Sequence, residues 1–162
     1  LEELGALTGH RDEAGDLVKR MKGDITKLVA DAPKRADKPT YYYELDPTFY
    51  TVTSKTYAGS LFGMFGLVNI ADAADADGSK GGYPQLAVEA IIAANPDFVF
   101  LADTKCCQQS LDTVKGRPGW ANISAVTGNR VIPLDDDIAS RWGPRVVDLV
   151  RSIAGAVPRA PA

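Results

Sequence analysis

Histidine, cysteine and long apolar runs are scarce in this sequence, and each scarcity removes a class of function. His10 is the only histidine. With no second histidine or nearby cysteine it is a poor metal ligand, and it reads as a plain surface residue. The two cysteines are adjacent, Cys106 and Cys107. No apolar run approaches the roughly 20 residues that span a bilayer, and no signal peptide is present. The chain starts inside a helical pattern with no capping residue ahead of Leu1, as a piece cut from a longer protein would, so the missing signal peptide says nothing about localisation. Net charge is only −3, without a long basic run, so a nucleic-acid partner is not expected. Catalytic signatures are missing too: there is no Gly-x-Ser-x-Gly elbow, no Gly-x-Gly-x-x-Gly after a strand and no phosphate-binding Gly-Lys-Ser/Thr loop.

What is present suits one ordinary globular domain with a real core: 162 residues, 45% hydrophobic and 24% charged. The stretch from Gly81 to Asp103 organises the rest. Pro84 suits the first position of a helix, Pro96 stops one, and Phe98 to Ala102 is a short, continuously apolar run. The expectation is a helix over 84–95 followed by a buried parallel strand over 98–102.

Ahead of it, Leu4, Leu7, Leu17, Met21, Ile25 and Leu28 recur at helical spacing. A continuous helix over 1–31 would be about 45 Å long. It reads either as a surface helix or as a rigid connector between two lobes, with Gly9-His10 as a break near its start. Residues 32–39 form a charged, proline-bounded linker, and 40–158 the α/β lobe itself. Within that lobe the pattern gives a strand over 40–45, a polar and aromatic loop over 46–55, a helix over 56–68, and an acidic loop over 70–82. A short helix near 110–115, a strand over 130–134 and a helix from Pro144 to about Ala156 complete it. Strands alternating with helices imply a three-layer α/β/α sandwich with a mainly parallel sheet.

In such a sheet the loops leaving the carboxyl ends of the strands share one edge, where ligands bind. That edge gathers Phe49, Tyr50, Tyr83 and Trp142 as aromatic area, and Lys105, Asp137 and Arg141 as charge. The mixture suits a large, partly apolar ligand with polar rims. The Asp-x-Asp-Gly fragment at 75–78 is similar to a calcium loop but lacks the downstream glutamate. The aspartates at 135–137 offer a magnesium site, and with it a small metal-dependent α/β hydrolase as the enzymatic alternative; a solvated acidic turn explains them more simply.

The order Gly-Tyr-Pro-Gln-Leu, Asn-Pro-Asp-Phe-Val-Phe-Leu, Arg-Pro-Gly-Trp-x-x-Ile-x-Ala-Val, Asn-Arg-Val-Ile-Pro-Leu and Arg-x-x-Pro-Arg resembles the C-terminal lobe of the cobalamin and ferric-siderophore binding proteins of ABC importers. The opening Leu-x-x-Leu-x-x-Leu-Thr-Gly-His resembles the start of their long interlobe helix, so the likeness covers essentially the whole chain. The resemblance implies a non-enzymatic extracytoplasmic receptor, periplasmic or lipid-anchored at the cell surface. Such a receptor has two α/β lobes clasping a ligand and docks on a membrane permease; the N-terminal lobe is missing here. It implies no cofactor, the ligand being cargo: a corrinoid such as cobalamin, a ferric siderophore, or heme.

Carried over residue by residue, Tyr83 sits where the cobalamin-binding member has a cleft tryptophan, and Asp137 and Arg141 align with polar cleft residues. Glu89 aligns with the glutamate that pairs with permease arginines, and is otherwise an ordinary surface residue. Cys106 and Cys107 depart from the family pattern. Following the buried strand, they are placed at the ligand crevice. They form a vicinal disulfide, which needs a strained or cis peptide, or stay as two free thiols, or link to the missing lobe.

Overall fold

Three tyrosines in a row open the first strand, β1 (Thr40–Glu44), in the computed structural model, which describes residues 1–33, 37–141 and 143–157. Successive strand side chains point to opposite faces. Tyr41 and Tyr43 therefore enter one hydrophobic core, while Tyr42 enters the other. The strand β3 (Phe98–Leu101) repeats the division, with Phe98 and Phe100 on the first face and Val99 and Leu101 on the second. With β2 (Val68–Asn69) and β4 (Val131–Pro133) they form a sheet of order β2-β1-β3-β4, all parallel. Register pairs Tyr42 with Val99 and Glu44 with Leu101.

Helices cover both faces, giving the expected three layers. The first face carries α3 (Tyr57–Gly63) and α8 (Val146–Ala156), with the apolar stripe of α2 (Arg11–Asp31) at the margin. Phe62 is fully buried there, stacked on Tyr41 at 4.5 Å and edge-on to Phe100 at 4.8 Å. The second face carries α4 (Val88–Ala94), α5 (Leu111–Lys115) and α6 (Ser124–Thr127), closing over Tyr42 and Trp120. The short helix α7 (Asp136–Ser140) follows β4 at the carboxyl edge.

Three stretches depart from the expected elements. The N-terminal segment is two helices, α1 (Glu2–Thr8) and α2, because Gly9 adopts a left-handed φ of 77° and lets α1 turn back onto α2. Gly5 lies so close to Ala14 that a Cβ on it would sit 2.4 Å from the alanine methyl. The helix expected over 84–95 begins only at Val88, because its first residues pair with another segment: Thr51 N–H donates to the Pro84 carbonyl, and Tyr50 bridges Gln85. Proline is tolerated there since only its carbonyl is used. The far end is as expected, with Asn95 left-handed ahead of Pro96. Finally, the helix over 56–68 stops at Gly63, and Val68-Asn69 becomes the edge strand β2, ordered by Asn69, whose amide donates to the Tyr41 hydroxyl and the Val52 carbonyl. Part of the 32–39 linker, Lys34 to Ala36, and residue 158 lie outside the described residues. Among the described residues no helix is long and apolar enough to cross a membrane.

Gly59 makes the closest approach of any glycine among the described residues: a Cβ there would lie 2.0 Å from the Thr53 carbonyl oxygen. The obstacle is backbone and cannot swing away, so Gly59→Ala is expected to cost about 3 kcal/mol. Urea denaturation followed by circular dichroism measures it, and an unchanged midpoint contradicts the packing.

Candidate functional site

The carboxyl ends of the four parallel strands deliver four segments to one edge: 45–56, 70–87, 102–110 and 134–141. Two of them are zipped together. Thr53 N–H donates to the Gly82 carbonyl, Thr51 N–H to Pro84 and Leu86 N–H to Phe49. This irregular ladder presents Tyr50 and Tyr83 with about two-fifths of each residue exposed, 42% and 41%. Beside them a recess of about 300 Å³ is lined by Lys55, Thr56, Tyr57, Asp75, Gly81, Gly82 and Tyr83. Asp75 is buried and shapes it by accepting from the Lys80 and Gly82 amides at 2.7 Å each. Asp77 is spent capping Ser79, so the fragment similar to a calcium loop ties its own backbone instead.

Phe49 points the other way. With φ at 67°, a strained value for a phenylalanine, it lays its half-buried ring on Trp120 at 6.0 Å. Trp142 lies outside the described residues.

The second half of the edge is charged. Lys105 Nζ reaches Asp135 at 2.7 Å and Asp137 at 3.1 Å, and Arg141 reaches Asp137 at 3.3 Å. The structure thus brings together the three charged residues that the sequence pointed to. Hydrogen bonds from Lys105 hold the Asp135 carboxyl below its usual range, and in return Asp135 and Asp137 raise the Lys105 ammonium. Asp135 also caps α7, and Asp136 ties the neighbouring loop, accepting from the amides of Lys105 and Cys106 and from the Thr104 hydroxyl. Burial works against the Asp136 charge, and those donors outweigh it, so its pKa is lowered. The three aspartates therefore do three separate jobs, and among the described residues no group of three or more histidine, cysteine or acidic side chains is placed to hold a metal ion.

Behind this edge lies a feature with less sequence signal. Glu44 and Asp103 are both fully buried. Arg117 grips Glu44 with two hydrogen bonds, at 2.7 and 2.6 Å, and donates a third, at 2.7 Å, to the Gln109 side-chain oxygen. Its guanidinium lies 4.7 Å above Trp120 and 5.5 Å from Phe49. Burial opposes the Arg117 charge, but Glu44 overrides it and raises the pKa further. The only clue in the sequence was a glutamate closing an otherwise buried aromatic strand. Tyr57 and Lys55 also escaped notice, since one began a predicted helix and the other ended a loop.

Glu89 stands exposed in the first turn of α4. Cys106 and Cys107 are joined by a disulfide at the tip of the 102–110 segment, with no cis peptide among the described residues. Cys106 is exposed and Cys107 half-buried. Iodoacetamide without reductant is expected to leave the intact mass unchanged, and two groups should add after reduction. Two groups added without reductant would overturn the bridge.

Comparison with known proteins agrees with this fold. An uncharacterised ABC transporter substrate-binding lipoprotein of Bacillus subtilis, YvrC, is 29% identical over 161 residues, which is 97% of this chain and 48% of the relative. The vitamin B12-binding protein of Vibrio cholerae is 26% identical over 152 residues, covering 93% of this chain and 48% of that protein. The chain thus spans about half the length of the curated relatives it matches. A crystal structure titled as a possible iron-binding (periplasmic solute-binding) protein from Staphylococcus epidermidis superposes with a TM-score of 0.81 at 25% identity, over 98% of this chain and 60% of that one. Residues 1–138 match the family described as periplasmic binding protein, and the chain belongs to that family.

Proposed function

We propose that this chain is the C-terminal ligand-binding lobe of an ABC-importer receptor whose ligand is a corrinoid such as cobalamin. The observation that carries the choice is the charge balance at the edge. Lys105 and Arg141 are already neutralised by Asp135 and Asp137, while Tyr50 and Tyr83 remain exposed in the other half of the edge. A corrinoid offers broad apolar faces and a rim of neutral amides, which can exchange hydrogen bonds with paired charges without separating them. An anionic ferric siderophore would have to compete with Asp135 and Asp137 for Lys105 and with Asp137 for Arg141, at a desolvation cost. Heme is less suited: the tyrosines could ligate its iron, but the edge has no histidine.

In this reading the corrinoid is cargo rather than cofactor, and the protein is not an enzyme, which the separate duties of Asp135, Asp136 and Asp137 support. The receptor works outside the cytoplasm, in the periplasm or on a lipid anchor, as the description of YvrC as a lipoprotein supports. A second, N-terminal lobe completes the clasp. Glu89 is the permease contact: it is exposed, in a helix whose start is tied to the ligand edge through residues 82–86.

Titration calorimetry of the two-lobed protein with cyanocobalamin, a ferric hydroxamate siderophore and hemin tests the ligand. Cyanocobalamin should bind, and Tyr83→Ala should weaken it about tenfold, as for truncation of an aromatic contact. Heat from the siderophore or hemin alone would overturn the corrinoid reading. For docking, Glu89→Arg should abolish cellular uptake while leaving the calorimetric affinity intact; undiminished uptake would remove Glu89 from the interface.

A further inference from the structure

Two carboxylates and a single arginine are enclosed beneath the ligand edge, and the count does not balance unless one carboxylate holds a proton. Register sets Glu44 opposite Leu101, and Ala102 N–H donates to the Glu44 carbonyl at 2.9 Å. Asp103, two residues beyond Leu101, returns to the same face as Glu44. Both side chains are fully buried. Arg117 spends two hydrogen bonds on Glu44, and neither Asp103 oxygen has a hydrogen-bond partner among the described residues. A buried, ionised and unpartnered carboxylate is too costly to persist. Glu44, the carboxylate beside it, can only accept. A proton on Asp103 removes the buried charge and supplies the missing donor.

We propose that Asp103 holds a proton facing Glu44 and that losing it unlatches the loop after β3, making residues 103–109 a pH-sensitive part of the ligand edge. Asp103 is the anchor of that loop: its carbonyl accepts from the Cys107 amide at 3.2 Å and the Gln109 amide at 3.4 Å. Gln109 closes the circuit, accepting from Arg117 and donating its side-chain amide to the Cys107 carbonyl. The same loop carries Lys105 and the disulfide.

The groups around Asp103 leave few other sources of compensation. From β1 come Glu44 and the hydroxyls of Tyr42 and Tyr43, and from the segment after α5 comes Arg117. Burial, and then Glu44, pushes the Tyr42 hydroxyl far above its usual range, so it stays neutral. On α7, the Asp136 carboxylate is occupied by the amides of Lys105 and Cys106. Burial first, and the Glu44 charge second, push Asp103 up to about 7. Its proton is therefore exchanged near neutrality.

The sign follows from linkage. An acid raised from 3.8 to about 7 on folding contributes stability that is complete below pH 4 and is lost as pH rises through 7. Relative to Asp103→Asn, the native protein should lose about tenfold in its folding equilibrium per pH unit across that window.

The proposal rests on the receptor reading only for its effect on ligand, and the test needs no ligand. Hydrogen exchange of the peptide spanning 103–110 in the full-length protein, corrected for the intrinsic rate, should show protection falling at least tenfold between pH 5.5 and 8.5. In Asp103→Asn, which is neutral at every pH, it should stay flat. Glu44→Gln removes the like charge and frees Arg117, so the midpoint should move to lower pH. Equal pH dependence in the native protein and Asp103→Asn, or a higher midpoint in Glu44→Gln, would overturn the latch.

Discussion

The side-chain alternation of β1 is the constraint from which most of the structure follows. Thr40–Glu44 is buried on both faces, so Tyr41 and Tyr43 must build one core while Tyr42 builds the other. The next residue in the alternation is Glu44, which must then lie on the Tyr42 face, in the interior. A carboxylate there needs a cation, and Arg117 arrives from 73 positions away to supply it. The arginine needs apolar cover for its plane, which Trp120 and Phe49 give. Phe49 reaches that place only through a left-handed turn. One strand's periodicity thus sets the course of the first edge loop.

The ligand edge inherits a division of labour. Its aromatic half is held by main-chain bonds between 49–53 and 82–86, and its charged half by carboxylates that accept from backbone amides. In both halves the groups facing outward are surplus to the fold. A receptor gains from this arrangement, since surface that is already positioned loses little entropy when a ligand arrives.

Much of this was legible in the sequence because it rests on local rules. The apolar run 98–102, Asn95 ahead of Pro96 and the stripe of α8 each identify their element without help from the rest of the chain. The parallel order of the sheet then followed from the alternation of elements. The misread boundaries are those where a distant partner overrides a local preference. Pro84 would start a helix in isolation, but Tyr50 and Thr51 draw its segment into an extended pairing. Val68 continues a helical stripe, yet the free edge of β1 recruits it as a strand. The charged trio Lys105, Asp137 and Arg141 was found because its members leave neighbouring strand ends. The Glu44–Asp103–Arg117 cluster went unnoticed because nothing local says that a glutamate ending a strand will be wholly buried.

Trp120 has a consequence in optical terms. Its indole is fully buried, has no hydrogen-bond partner for Nε1 among the described residues, and lies 4.7 Å beneath the Arg117 cation. An indole in such surroundings emits at short wavelength, and its transition energy follows the local electric field. Adding or withdrawing one negative charge beside Arg117 changes that field in a medium of low dielectric constant, where its effect is large. The lobe therefore contains a natural fluorophore whose colour reports the charge state of its own interior.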